Sequence, residues 1–114
     1  MTNLLRAETT LKFPNDVSYK AKMSLDTIMS IEGALNGSIL TVANKLSTGG
    51  LTITEIITIL TLSIRSGGNN VKDVNVKELV SEIGLVKAIS MIGELLTLAL
   101  GTEEDKSDEK KSES

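Results

Sequence analysis

Two stretches near the start of the chain alternate between apolar and polar residues, and everything after them repeats every three or four. Over residues 7–13, Ala7, Thr9, Leu11 and Phe13 fall on one side, and Glu8, Thr10 and Lys12 on the other. Residues 17–23 do the same, with Val17, Tyr19, Ala21 and Met23 against Ser18, Lys20 and Lys22. A period of two marks a half-buried strand, and Pro14-Asn15-Asp16 supplies residues that favour a tight reversal. The pattern predicts a β-hairpin with one apolar face. Two strands alone are marginal in water, so that face is expected to lie on helices.

From Ser24 the period becomes helical. Leu25, Ile28, Glu32 and Leu35 fall three or four apart, Ser24 offers an N-cap, and Asn36-Gly37 a stop. A second short helix is predicted over 38–46, with Ile39, Val42, Ala43 and Leu46 as its apolar side and Gly49-Gly50 ending it. Thr52-Ile53-Thr54-Glu55 has the form of a capping box. The helix it opens, Ile53–Ser66, carries Thr54, Thr58, Thr61 and Arg65 as a narrow polar stripe, against Ile53, Ile56, Ile57, Leu60 and Ile64. Its β-branched residues are only fair helix formers, so packing must hold it. Gly67-Gly68-Asn69-Asn70 suggests a flexible break, and Asn75-Val76-Lys77-Glu78 a further cap for a helix ending near Gly84. The last helix, Leu85–Leu100, has Lys87, Ser90, Glu94 and Thr97 as its polar stripe and is otherwise apolar or small. So apolar a helix is either central or half of an interface.

Composition narrows the function. The 114 residues fit one compact domain. Phe13 and Tyr19 are the only aromatic residues, so aliphatic side chains must fill the core. The chain has no Cys and no His, which removes thiolate chemistry, the usual zinc sites and the commonest general base; a chain without Cys suits a reducing cytoplasm. No signal peptide is visible at the N-terminus. Residues 51–64 are too few for a membrane span and include Glu55, and 83–100 are interrupted by Lys87 and Glu94, so no membrane association is expected. The net charge of −3 comes from residues 102–114, which hold six acids and three lysines. The body is neutral, and nucleic acid is not an expected partner. The all-polar stretch 102–114 is expected to be disordered.

Little of the remainder points to catalysis. The glycine clusters at 37, 49–50 and 67–68 lack the spacing of phosphate-binding loops and read as helix stops. Asp26, Glu32, Glu55, Glu78, Glu82 and Glu94 are scattered singly on polar faces, and no base is present to activate the many hydroxyls. No enzymatic activity, cofactor or metal is expected. Glu55 and Glu78 read as caps, and Asp26 suits the first turn of its helix. Glu32 borders an apolar stripe, either with its head in water or paired with Lys45 or Arg65.

The order of these pieces resembles a known family. Met23-Ser24-Leu25-Asp26-Thr27-Ile28 leads into Ile31-Glu32-Gly33-Ala34-Leu35, followed by Leu46-Ser47-Thr48-Gly49-Gly50-Leu51-Thr52, Ile59-Leu60 and Ile64-Arg65-Ser66-Gly67-Gly68. Glu82-Ile83-Gly84 then precedes the apolar helix ending Leu95-Leu96-Thr97-Leu98-Ala99-Leu100-Gly101. This is similar to the small tail proteins of gene transfer agents, grouped with phage tail assembly chaperones and sometimes labelled tail tube proteins. The resemblance covers roughly residues 5–101 and implies a role in building a phage-like tail. A tube subunit must close into a ring and stack, usually with many strands, whereas one hairpin is readable here. A chaperone needs a body that screens apolar segments of the tape-measure protein, which helices with broad apolar faces suit.

The expectation is therefore an α+β, predominantly helical protein, with a hairpin at about 7–23 packed on four or five short helices at about 24–100. Residues 1–101 form one domain, followed by the acidic tail 102–114. The expected function is a tail assembly chaperone binding the tape-measure protein in the bacterial cytoplasm, with the tail tube protein and self-association as further partners. The alternative is a structural component that stays with the finished particle. The candidate interaction residues are Ile56, Ile57, Ile89, Ile92 and Leu96, on the two most apolar helices, each weighed against a role in the protein's own core.

Overall fold

Strands β1 (Glu8–Lys12) and β2 (Ser18–Lys22) pair antiparallel, with Thr10 opposite Lys20, in a computed structural model that describes residues 7–101. The acidic tail expected at 102–114 lies outside the described residues. The reversal is a β-turn closed by Val17 N–H donating to the Pro14 carbonyl at 3.3 Å. Its central residues, Asn15 and Asp16, have φ of 64° and 61°, a left-handed conformation that Asn and Asp tolerate better than most. Leu11, Phe13, Ala21 and Met23 are buried beneath the ribbon, as the alternation predicts.

Five helices follow: α1 (Leu25–Leu35), α2 (Ile39–Thr48), α3 (Ile53–Ser66), α4 (Asp73–Ile83) and α5 (Leu85–Leu100). Most of their ends follow from side-chain chemistry. Ser24 and Ser38 accept the Thr27 and Thr41 amides, and Asn36 and Gly49 close α1 and α2 in left-handed conformations. Thr52 and Glu55 form the reciprocal capping box of α3. The fourth helix differs from expectation. It begins at Asp73 and not near Asn75, and Asn75 Oδ1 accepts the Lys72 amide at 2.9 Å from its third position. Asn75 thus takes the reach-back role, and Glu78 is exposed one turn further on.

Helix α3 is the centre of the molecule, in contact with β2, α1, α4 and α5. Ile59, Leu60 and Ile64 have no exposed surface, as a helix apolar on most sides requires. The predicted polar stripe on α3 is broken, because Thr61 is 3% exposed and its hydroxyl has no hydrogen-bond partner among the described residues. A buried hydroxyl without a partner costs about 1–3 kcal/mol. Thr61→Val keeps the shape and removes that cost, so urea denaturation is expected to show a gain of roughly 1 kcal/mol. Leu25, placed on the buried stripe of α1 by spacing, is 77% exposed; Thr27, Ile28 and Ile31 face inward instead. Thr27 can turn inward because its hydroxyl donates to Ser66 Oγ at 2.7 Å and lies 2.9 Å from Ser24 Oγ. Three hydroxyls thereby tie the start of α1 to the end of α3.

The segment 67–70, expected to be a flexible break, is instead a tight junction between α3 and the ribbon. Asn69 Nδ2 donates to the carbonyls of Lys20 at 3.0 Å and Ile64 at 3.1 Å. Gly67 lies flat against β2, and a Cβ there would come within 2.1 Å of the Lys20 carbonyl oxygen. The φ of Gly67, −77°, suits any residue, so the constraint is the space and not the backbone conformation.

Candidate protein-binding surface

Of the five residues marked for a partner, four are buried. Ile56, Ile57, Ile92 and Leu96 are between 0 and 8% exposed, which gives them the core role weighed beside the interface. The cause is the packing of both helices: α3 is central, in contact with β2, α1, α4 and α5, and α5 packs against α2, α3 and α4. Ile89 differs, with 41% of its surface exposed.

Around Ile89 the structure adds residues that apolar spacing did not single out. Leu85 and Val86 are 42% and 84% exposed and, with Ile89, form an apolar strip along the first turns of α5. Val86 is four positions before Ser90, so it shares the sector of the polar stripe, and Lys87, Ser90, Glu94 and Thr97 are all exposed as predicted. That angular reading was available from the sequence. A second apolar area lies between the start of α1 and the end of α5, where Met23, Leu25, Ile28, Leu98 and Ala99 line an open groove. Met29 and Leu100 are exposed on the same two helices.

Charged residues link several of the elements to one another. Lys45 Nζ on α2 contacts Glu55 Oε2 on α3 at 2.9 Å. Glu32 therefore does not pair with Lys45; its Oε2 accepts the Ile39 amide at 2.9 Å and so caps the helix after its own. Glu94 accepts the Thr9 hydroxyl, joining α5 to β1. Among the described residues no three His, Cys, Asp or Glu side chains come together as metal ligands would. No single helix among them is long and apolar enough to cross a membrane.

The Thr52 amide and the Lys45 ammonium hold the Glu55 carboxyl below the ordinary glutamate value of 4.5. A carboxylate lowered in the folded state stabilises the fold above its unfolded-state pKa and loses that contribution as pH falls through the folded value. Glu55→Gln keeps the reach-back acceptor but not the charge. It is expected to cost roughly 0.5 kcal/mol at neutral pH and to flatten the loss of stability below about pH 4.5, as thermal melts across that range would read.

The described residues form a two-stranded ribbon and five helices packed around α3, with apolar strips left exposed on α1 and α5. The family described as "Phage tail tube protein, GTA-gp10" matches residues 6–102, and the chain belongs to it. No curated protein and no solved structure matches the chain. The resemblance read from the sequence is thereby supported over nearly the same span.

Proposed function

We propose that this protein is a non-enzymatic tail assembly chaperone, which shields apolar helical segments of the tape-measure protein in the host cytoplasm until the tube closes around them. The observation that carries this reading is the exposed strip of Leu85, Val86 and Ile89, left outside a core that is already filled. Such a strip fits an apolar helix laid alongside it, in a contact that needs no special chemistry. Ile89 is the one of the five marked residues in position to touch a partner without unfolding the protein. A two-stranded ribbon of five-residue strands also gives a tube wall little sheet with which to close and stack.

The test is co-purification with the tape-measure protein at gentle salt, using the full chain and Val86→Asp. Wild type is expected to retain the tape-measure protein and the folded variant to lose it. Failure of wild type to retain it would overturn the chaperone reading. The family's description as a tube protein favours a second reading, a structural component of the tail. Many copies per purified particle would establish that one.

A further inference from the structure

The outer edge of β1 is the feature that neither the fold nor the tail role uses. Phe13 N–H donates to the Val17 carbonyl and Met23 N–H to the Ala7 carbonyl, each at 2.8 Å. These bonds fix the phase of the ribbon. Along β1 the backbone groups of the odd-numbered residues point at β2, and those of Glu8, Thr10 and Lys12 point away. The same phase turns the backbone groups of Ser18, Lys20 and Lys22 to the outer edge of β2. There the Lys20 carbonyl is taken by Asn69, and Gly67 blocks the approach. One edge of the ribbon is closed by the protein itself. On the other, nothing among the described residues bonds the backbone of Glu8, Thr10 or Lys12, and all three side chains are exposed.

We propose that this edge pairs with the same edge of a second copy, giving a continuous antiparallel sheet in the order β2-β1-β1-β2 across a two-fold axis at Thr10. The sequence of β1, Glu8-Thr9-Thr10-Leu11-Lys12, is complementary to itself in that register. Thr10 faces the partner's Thr10, and Glu8 and Lys12 face the partner's Lys12 and Glu8. The residues placed opposite one another are the three whose backbone groups point outward, so the hydrogen-bond phase and the charge pattern select the same register. A shift of two residues either way still offers backbone bonds but loses both opposite-charge pairs, which adds cross-strand preference for this one. On the inner face Thr9 falls opposite the partner's Leu11. Two copies related by a two-fold axis form a closed pair that does not propagate, and pairing removes the exposed edge. This inference does not rest on the chaperone reading, and either can fail without the other.

Sedimentation of the full chain over a concentration series reads the result. Wild type is expected to approach twice the 12.2 kDa chain mass. Thr10→Pro removes an N–H that points away from β2, so the hairpin keeps its own bonds; two intermolecular bonds are lost, and dimerisation is expected to weaken about tenfold or more. Glu8→Lys and Lys12→Glu each place like charges across the axis and are expected to be monomeric alone. Mixed in equal amounts they restore opposite charges at both positions, and the dimer is expected to return. That rescue separates edge pairing from loss of folding. Wild type that stays monomeric overturns the proposal, including the case in which the Thr10 amide is already protected from exchange at low concentration because the chain's own residues 1–6 fill the edge. A dimer indifferent to Thr10→Pro and to the charge variants overturns it equally.

Discussion

Gly67→Ala is expected to destabilise the protein by about 3 kcal/mol, near the top of the range for inserting an atom where none fits. At this size that is a fall in melting temperature of roughly 12–24 °C. The added Cβ would meet the Lys20 carbonyl oxygen at 2.1 Å and its carbon at 2.6 Å. Neither atom belongs to a flexible side chain, so relief requires the end of α3 and strand β2 to separate. Separation also strips the Asn69 bond from Lys20 and loosens the ribbon over Leu11 and Ala21. Gly33→Ala is the control. It is on the exposed side of α1 with nothing within 4 Å of the new Cβ, so the better helix former should stabilise by roughly 0.5–1 kcal/mol. Denaturant titration of both variants is the measurement, and a Gly67→Ala midpoint equal to wild type would refute the close approach.

The second large effect is expected at Ile92. It is fully buried, and Ile92→Asp puts an unpaired carboxylate among aliphatic side chains. The expected loss, about 4 kcal/mol or more, is a large part of the roughly 5–15 kcal/mol that holds a small domain together. The variant should be unfolded, or close to it, by circular dichroism at neutral pH. Val86→Asp, six residues earlier on the same helix, should keep wild-type stability within about 0.5 kcal/mol, because the new charge is solvated and lies in the first turn, where an acid suits the helix dipole. A folded Ile92→Asp protein would mean that this face of α5 is available to partners after all.

The parts of the fold that were legible in the sequence are those decided by neighbouring residues. The hairpin follows from strict alternation around Pro14-Asn15-Asp16, and the ends of α1, α2 and α3 from Ser24, Asn36, Ser38, Gly49 and the Thr52–Glu55 box. Local rules failed where a distant residue supplies the reason. Gly67 reads as a loose linker until Lys20 is brought against it. Thr61 reads as solvent-facing because periodicity counts polarity and does not know that α3 is enclosed on nearly every side. Glu32 has no visible use until the turn at Asn36-Gly37 carries the Ile39 amide back to it. Asn75 reads as the N-cap of α4, but its amide oxygen accepts the Lys72 amide from inside the first turn, and the helix starts at Asp73. The candidate surface shows the same division. Spacing picks out apolar helices, but apolar character alone does not say which side of a helix meets its own fold, and four of the five marked residues are buried.

With α3 at the centre, the order of synthesis acquires consequences. The hairpin and α1 emerge first, yet both rest on a helix that ends only at Ser66. Until more than half of the chain has left the ribosome, Leu11, Ala21, Met23 and Ile31 have nothing to cover them, and a lone hairpin does not hold itself together. A nascent chain stalled short of that point should remain sensitive to protease along its whole length and become resistant in a single step once α3 and the helices beyond it are out.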